Sequence, residues 1–135
     1  MTGFQGLELA MGQVIGHRLF TIMRHDGHFS RRVHSNRPDV YPEGGTKAHR
    51  DIRWMAQLEE GRACVINGEP AVREGFTDHQ LLLDLGGTSA LKLPVIWNGR
   101  LIGVINLLDG PRLYTEADAA LAMKYVPFAI PGLLG

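Results

Sequence analysis

The sequence predicts an α+β domain in which a twisted antiparallel sheet is covered by helices. Two observations carry that reading. Two pairs of β-prone runs are joined across Asp26-Gly27 and Asn98-Gly99, and such dipeptides between apolar runs mark hairpins. Helical patterns lie outside and between the hairpins, whereas a parallel sheet would need strands and helices in strict alternation.

The elements follow in order. Phe4, Leu7, Met11 and Val14 are spaced for one face of a helix. Leu19 to Arg24 and Phe29 to Ser35 read as paired strands. Arg37 to Thr46, rich in Pro and Gly, reads as loop, and Ala48 to Glu60 as a helix stopped by Gly61. Ala63 to Ile66 is a short β-prone run closed by Asn67-Gly68. Thr77 or Asp78 can cap a helix through Leu81, Leu82, Leu83 and Leu85 that Gly86-Gly87 ends. Ala90 to Trp97 and Leu101 to Leu108 form the second hairpin. Thr115-Glu116-Ala117-Asp118 resembles a capping box, and the helix it opens is broken by Pro127.

With 135 residues the chain has the size of a single domain, spanning 1–135, and buries about two thirds of its unfolded surface without metal or disulfide support. Fourteen basic side chains balance fourteen acidic ones. That argues against nucleic acid as a partner, since phosphate binding needs a basic excess, and it weakens the barrier to self-association. A single cysteine, Cys64, rules out internal disulfides and cysteine zinc clusters. No basic segment leads into an apolar run at the N-terminus, and no stretch reaches the roughly 18 apolar residues needed to span a bilayer. The expectation is a cytoplasmic protein with no membrane partner.

At the second hairpin the sequence resembles the GAF domain family. Ser89-Ala90-Leu91-Lys92-Leu93-Pro94-Val95 followed by Asn98-Gly99-Arg100-Leu101-Ile102-Gly103-Val104-Ile105 is similar to that family's late hairpin, with a Pro plus aliphatic strand end, a Gly turn and an aliphatic-Gly-Val core. Glu60-Gly61-Arg62-Ala63-Cys64-Val65-Ile66-Asn67 and Tyr114-Thr115-Glu116-Ala117-Asp118 fit the family's helix-to-strand passage and its entry to the last helix. The resemblance covers about residues 17–126. It implies a GAF-like, PAS-related sheet of five or six strands, terminal helices on one face, and loops and short helices on the other. Ligands of that family lie between the sheet and the middle segments.

Strand parity then sorts the hairpin. A three-residue turn would pair Ile96 with Arg100 and give a wholly apolar odd face of Leu91, Leu93, Val95, Trp97, Leu101, Gly103, Ile105 and Leu107. The even face would hold Lys92, Pro94, Ile96, Ile102, Val104 and Asn106. A two-residue turn would shift the pairing by one and split Lys92 from Asn106; the first register is preferred because it leaves one clean core face. Lys92 and Asn106 are therefore the leading candidates for ligand contact, Lys92 toward an anionic ligand. A salt bridge to Asp78 or Asp84, or a lysine that snorkels out at the sheet edge, is the competing structural role. His34 and Ser35 end the second strand, where the resemblance places ligand contacts. Tyr41 and Trp54 can wall the pocket, and Phe76 and Asp78 open the helix above it.

Catalytic and metal chemistry finds little support. His25 and His28 flank a tight turn with no carboxylate-backed helix to orient them as metal ligands. Cys64 sits in an apolar strand with no base beside it. A methionine-sulfoxide-reductase activity, known in one branch of the family, needs a second cysteine for its disulfide step. A non-enzyme is expected, its cofactor undefined. The expected function is small-molecule sensing through a partner chain. The alternative is a ligand-free interaction module whose pocket is filled, and an uncharacterised enzyme is a minor third. Both main readings expect a homodimer through terminal helices bearing Leu7, Met11, Leu121 and Tyr125, with Pro127 and Pro131 ending the last helix.

Overall fold

The computed structural model describes residues 2–48, 54–110 and 114–135. Its strands are β1 (Leu19–His25), β2 (Phe29–Ser35), β3 (Thr46–Ala48), β4 (Cys64–Asn67), β5 (Ser89–Trp97) and β6 (Arg100–Asp109). The helices are α1 (Gly3–Val14), α2 (Met55–Glu59), α3 (Glu69–Gly75), α4 (His79–Asp84), α5 (Glu116–Met123) and α6 (Ile130–Leu134), with a 3₁₀ turn at Val126–Ala129. The six strands form one sheet in the order β3-β2-β1-β6-β5-β4, and the pairings are antiparallel. Both expected hairpins are present.

Each face of the sheet carries its own core. On one side Leu7, Met11, Ala122, Val126 and Leu133 pack against Phe20, Ile22, Leu91, Leu93, Ile105 and Leu107. On the other side Leu58, Val72, Phe76, Leu82 and Tyr41 pack against Leu19, Ile66, Ala90, Val104 and Leu108. Leu7 and Met11 are thus consumed by the chain's own core, at 3% and 0% exposure, and are not available to a second subunit. Exposed large apolar side chains on the terminal segments are instead Leu9, Val14, Phe128 and Leu134.

Terminal helices are fixed by their caps. Thr2 accepts from the Gln5 N–H while the Gln5 side chain accepts from the Thr2 N–H, a reciprocal pair that starts α1. Thr115 and Asp118 do the same for α5. Beyond α5, Pro127 and Pro131 each sit in the first turn of a short helix, where a missing N–H costs nothing. Among the described residues no helix is long and apolar enough to cross a membrane.

Three local expectations are corrected. Ala48 closes β3 against Phe29, and α2 begins only at Met55, behind a left-handed Trp54 at φ 65°. The remainder of the expected long helix, 49–53, lies outside the described residues. An unexpected helix, α3, occupies Glu69–Gly75 with Pro70 in its first turn. The β5–β6 turn has two residues, not three, because Asn98 and Gly99 both take positive φ, 53° and 73°, as a type I′ hairpin requires.

That shorter turn does not split Lys92 from Asn106. The ladder pairs Trp97 with Arg100 and Ile96 with Leu101, then jumps to Val95 with Gly103, leaving Ile102 as an extra residue. This bulge undoes the shift, so Lys92 faces Asn106 and Pro94 faces Val104. Only the strand ends change sides: Leu101 joins the core beneath α2 to α4, and Ile102 packs toward the terminal helices. Gly103 at the bulge lets α6 approach, since a Cβ there would stand 2.6 Å from Leu133 Cδ1 and 2.8 Å from the Met23 carbonyl oxygen.

Candidate functional site

A cavity of about 40 Å³ lies between the sheet and the middle segments. Its floor alternates along the strands as parity dictates: Leu19, Thr21 and Met23 from β1, Ser30 and Arg32 from β2, Lys92 from β5, and Val104, Asn106 and Leu108 from β6. The roof comes from Tyr41 in the loop after β2, Phe76 and Asp78 between α3 and α4, and Leu82 on α4. Five of the eight residues singled out from sequence therefore surround one space: Lys92, Asn106, Tyr41, Phe76 and Asp78.

The roof is tied together by polar contacts. The Tyr41 hydroxyl donates to Asp78 Oδ2 at 2.8 Å, joining the loop to the start of α4. Arg32 stacks its guanidinium over the Tyr41 ring, 4.6 Å from the centroid, and donates from Nη1 to the Pro42 carbonyl at 3.0 Å. Its backbone exchanges hydrogen bonds with Gly44 and Gly45, each 2.8 Å long. A Cβ at Gly45 would stand 2.6 Å from Arg32 Nη1, so the guanidinium would have to shift. On the other side Lys92, only 4% exposed, holds Nζ 4.3 Å from the centre of the Phe76 ring, a favourable cation–π placement.

Burial and the neighbouring carboxylate push the Tyr41 phenol well above its ordinary value of 10, so it remains a donor at any physiological pH. Desolvation lowers the Arg32 pKa, and the nearby Asp78 opposes that effect; a guanidinium stays charged regardless. Burial also raises the Cys64 thiol, against the pull of Lys92 beside it. Cys64 pairs with Lys92 across β4 and β5 but is not among the residues lining the cavity.

Three buried polar atoms in this lining have no hydrogen-bond partner among the described residues: Ser30 Oγ, Arg32 Nε and Asn106 Oδ1. Native interiors leave few such atoms, because each costs about 1–3 kcal/mol of desolvation. The Asn106 amide uses Nδ2 on Thr21 Oγ1 at 3.3 Å. Were the amide turned over, the Thr21 hydroxyl would donate instead, and Nδ2 would face the cavity. Either way one polar atom of Asn106 is left for something other than protein.

Three sequence candidates lie elsewhere. The sequence places His34 at the pocket, but β2 carries a bulge: Ile22 pairs with His34 and Met23 with Arg32, leaving Val33 as the extra residue. The bulge turns His34 to the opposite face, where Nε2 lies 2.8 Å from Glu8 Oε1 and the ring packs against Phe4 and Phe20. Ser35 accepts the Arg37 N–H at 3.0 Å and does not line the cavity. Trp54 lies behind it, against Gly75. Sequence reading missed Thr21, Ser30 and Arg32. The signal was available in the alternation of β2, since Ser30 and Arg32 share a face. Among the described residues no three His, Cys, Asp or Glu side chains cluster as a metal site would require.

A model of the GAF domain matches residues 8–127. The chain belongs to the GAF domain family. Solved structures of other GAF domains share its fold. A GAF domain/HD domain protein from Geobacter sulfurreducens superposes with a TM-score of 0.78 at 13% identity, covering 98% of this chain and 90% of that one. The GAF domain of a two-component sensor histidine kinase from Bacillus halodurans gives 0.74 at 12% identity, covering 97% and 90%. The PixJ GAF domain of Thermosynechococcus elongatus, in its blue-light-absorbing form, gives 0.72 at 16% identity, covering 97% and 82%. Among curated proteins none matches the chain. At these identities the likeness is one of fold, and the cavity between sheet and middle segments is where the family resemblance placed a ligand.

Proposed function

We infer that this GAF domain is a small-molecule-binding regulatory module of the cytoplasm that acts through a partner chain. The observation that carries the reading is the convergence of Ser30 Oγ, Arg32 Nε and Asn106 Oδ1, all buried without a hydrogen-bond partner among the described residues, on one cavity. A space meant only for packing would be lined by apolar groups. The sensor kinase and light-absorbing relatives are consistent with a sensory role. Binding without turnover fits the Tyr41 phenol of the site, which burial and Asp78 keep protonated and so not poised to trade protons.

The ligand-free interaction module is supported by the small size of the cavity, and exposed Leu9, Val14 and Phe128 give both readings a surface for homodimer formation. The two separate in a thermal-shift screen of small metabolites against the wild-type protein and a Ser30→Leu variant. A true ligand at 100 times its dissociation constant stabilises by about 2.7 kcal/mol, raising the melting temperature of the wild type and leaving the variant unmoved. Hits that shift both proteins equally would refute the site. Sedimentation velocity reads the dimer separately: loss of association in Phe128→Ser supports it, and a monomeric wild type contradicts it.

A further inference from the structure

One edge of the Arg32 guanidinium narrows the chemistry of the ligand, an inference that rests on the site reading above. Arg32 lines the cavity from β2, and its head group is held by its surroundings. The Tyr41 ring covers its face, 4.6 Å from guanidinium carbon to ring centroid. Nη1 donates to the Pro42 carbonyl at 3.0 Å, and Gly44 and Gly45 hold the Arg32 backbone. The opposite edge, formed by Nε and Nη2, makes no hydrogen bond or ion pair to any described residue. Asp78 is close enough to oppose the desolvation of Arg32, yet it accepts from the Tyr41 hydroxyl at 2.8 Å and not from the guanidinium. A half-buried cation whose Nε is buried and unused is costly unless something pairs with it. Ser30 stands two residues along the same face of β2, about 6.6 Å away at the backbone. It is 1% exposed, and its hydroxyl also lacks a hydrogen-bond partner among the described residues.

We propose that Arg32 and Ser30 bind the carboxylate group of a small acid. The two parallel N–H bonds of the Nε–Nη2 edge match the two oxygens of a carboxylate, and the Ser30 hydroxyl donates a third hydrogen bond to one of them. The negative charge pairs a guanidinium that has no ion pair among the described residues. Because Tyr41 and Pro42 already fix the head group, little side-chain freedom is lost on binding. Met23, the neighbour of Arg32 across the β1–β2 ladder, gives the carbon next to the carboxylate an apolar surface. Asn106, level with Thr21 and on a different strand, takes no part in holding the carboxylate.

The probes are formate and acetate, since a cavity of about 40 Å³ admits roughly three to four water-sized groups. Formamide and acetamide are their neutral isosteres. Each is titrated into the isotope-labelled intact chain at constant ionic strength, and the Arg32 Nε–H resonance is followed by NMR. The proposal expects a saturable shift with both acids, and an affinity at least about tenfold above that of the matching amide. Arg32→Lys keeps the charge but loses the fork, and Ser30→Ala removes one donor at little change in volume. Each should weaken acetate about tenfold, and Ser30→Ala decides the matter if the lysine variant does not fold. Equal affinity for acid and amide, a shift matched by chloride, or acetate binding unchanged in Ser30→Ala would overturn the carboxylate pairing. If the metabolite screen then yields a neutral ligand lost in Ser30→Leu, the site stands and only the carboxylate falls. Blank titrations together with a blank screen overturn both.

Discussion

Replacing Thr21 and Asn106 together, as Thr21→Val and Asn106→Leu, should stabilise the folded chain. In the wild type Asn106 Oδ1 is buried with no hydrogen-bond partner among the described residues, a standing cost of about 1–3 kcal/mol. The Asn106–Thr21 hydrogen bond, at 3.3 Å, returns only about 0.5–1.5 kcal/mol net. The double substitution removes both partners, so it orphans neither, and it adds apolar surface beside Val104 and Leu108. The balance favours the variant by about 1–2 kcal/mol, which for a domain of this size raises the melting temperature by about 3–8 °C. Equilibrium urea unfolding reads the free energy directly. A variant destabilised by about 2 kcal/mol or more would refute the reasoning, because it would mean that the polar pair holds the sheet together. A protein that keeps such a pair at a cost to its own stability is using it for binding.

Other perturbations test separate links. Gly103→Ala forces a Cβ against Leu133 and the Met23 carbonyl, and should cost about 1–3 kcal/mol in urea unfolding without altering the cavity. Tyr41 has a raised pKa in the folded state, so its contribution is complete below the unfolded value of about 10 and is lost as pH rises above it, by up to about 1.4 kcal/mol per pH unit. Tyr41→Phe should therefore flatten the alkaline fall in stability between about pH 10 and 11.5, and a slope identical to wild type would show that the phenol ionises freely. Cys64, with its thiol pushed up by burial, should react with a thiol reagent at about pH 8 at least about 100-fold more slowly in the native than in the denatured protein. Comparable rates would place it at the surface.

The hairpins and the cap of α5 were legible in the sequence because their signals are local, whereas Asp78 stands at the start of α4 without a side-chain capping bond. Asn98-Gly99 fixes a turn by its own backbone preferences, and Thr115 with Asp118 fixes a helix start by hydrogen bonds three residues apart. What the sequence concealed lies in the bulges. An extra residue at Val33 sends His34 to the helix face and leaves Ser30 and Arg32 at the cavity, yet nothing in Phe29 to Ser35 marks where the ladder will skip. At Ile102 the same device has the opposite effect, offsetting the two-residue turn so that Lys92 and Asn106 keep the shared face that parity assigns to them. Parity arguments are thus sound between bulges and unsound across them. Leu7 and Met11 expose a second limit. Their spacing identified an apolar helix face correctly, but periodicity does not say whether that face meets its own sheet or a neighbour.

The account rests on a ligand seated at Ser30, Arg32 and Asn106, and native mass spectrometry of freshly purified protein tests that most directly. Wild type and the Thr21→Val, Asn106→Leu variant would be purified identically and sprayed before and after mild denaturation. The account predicts a reproducible small-molecule mass on the wild type, released by denaturation and absent from the variant. Bare chains in both spectra, or the same adduct on both, would contradict it.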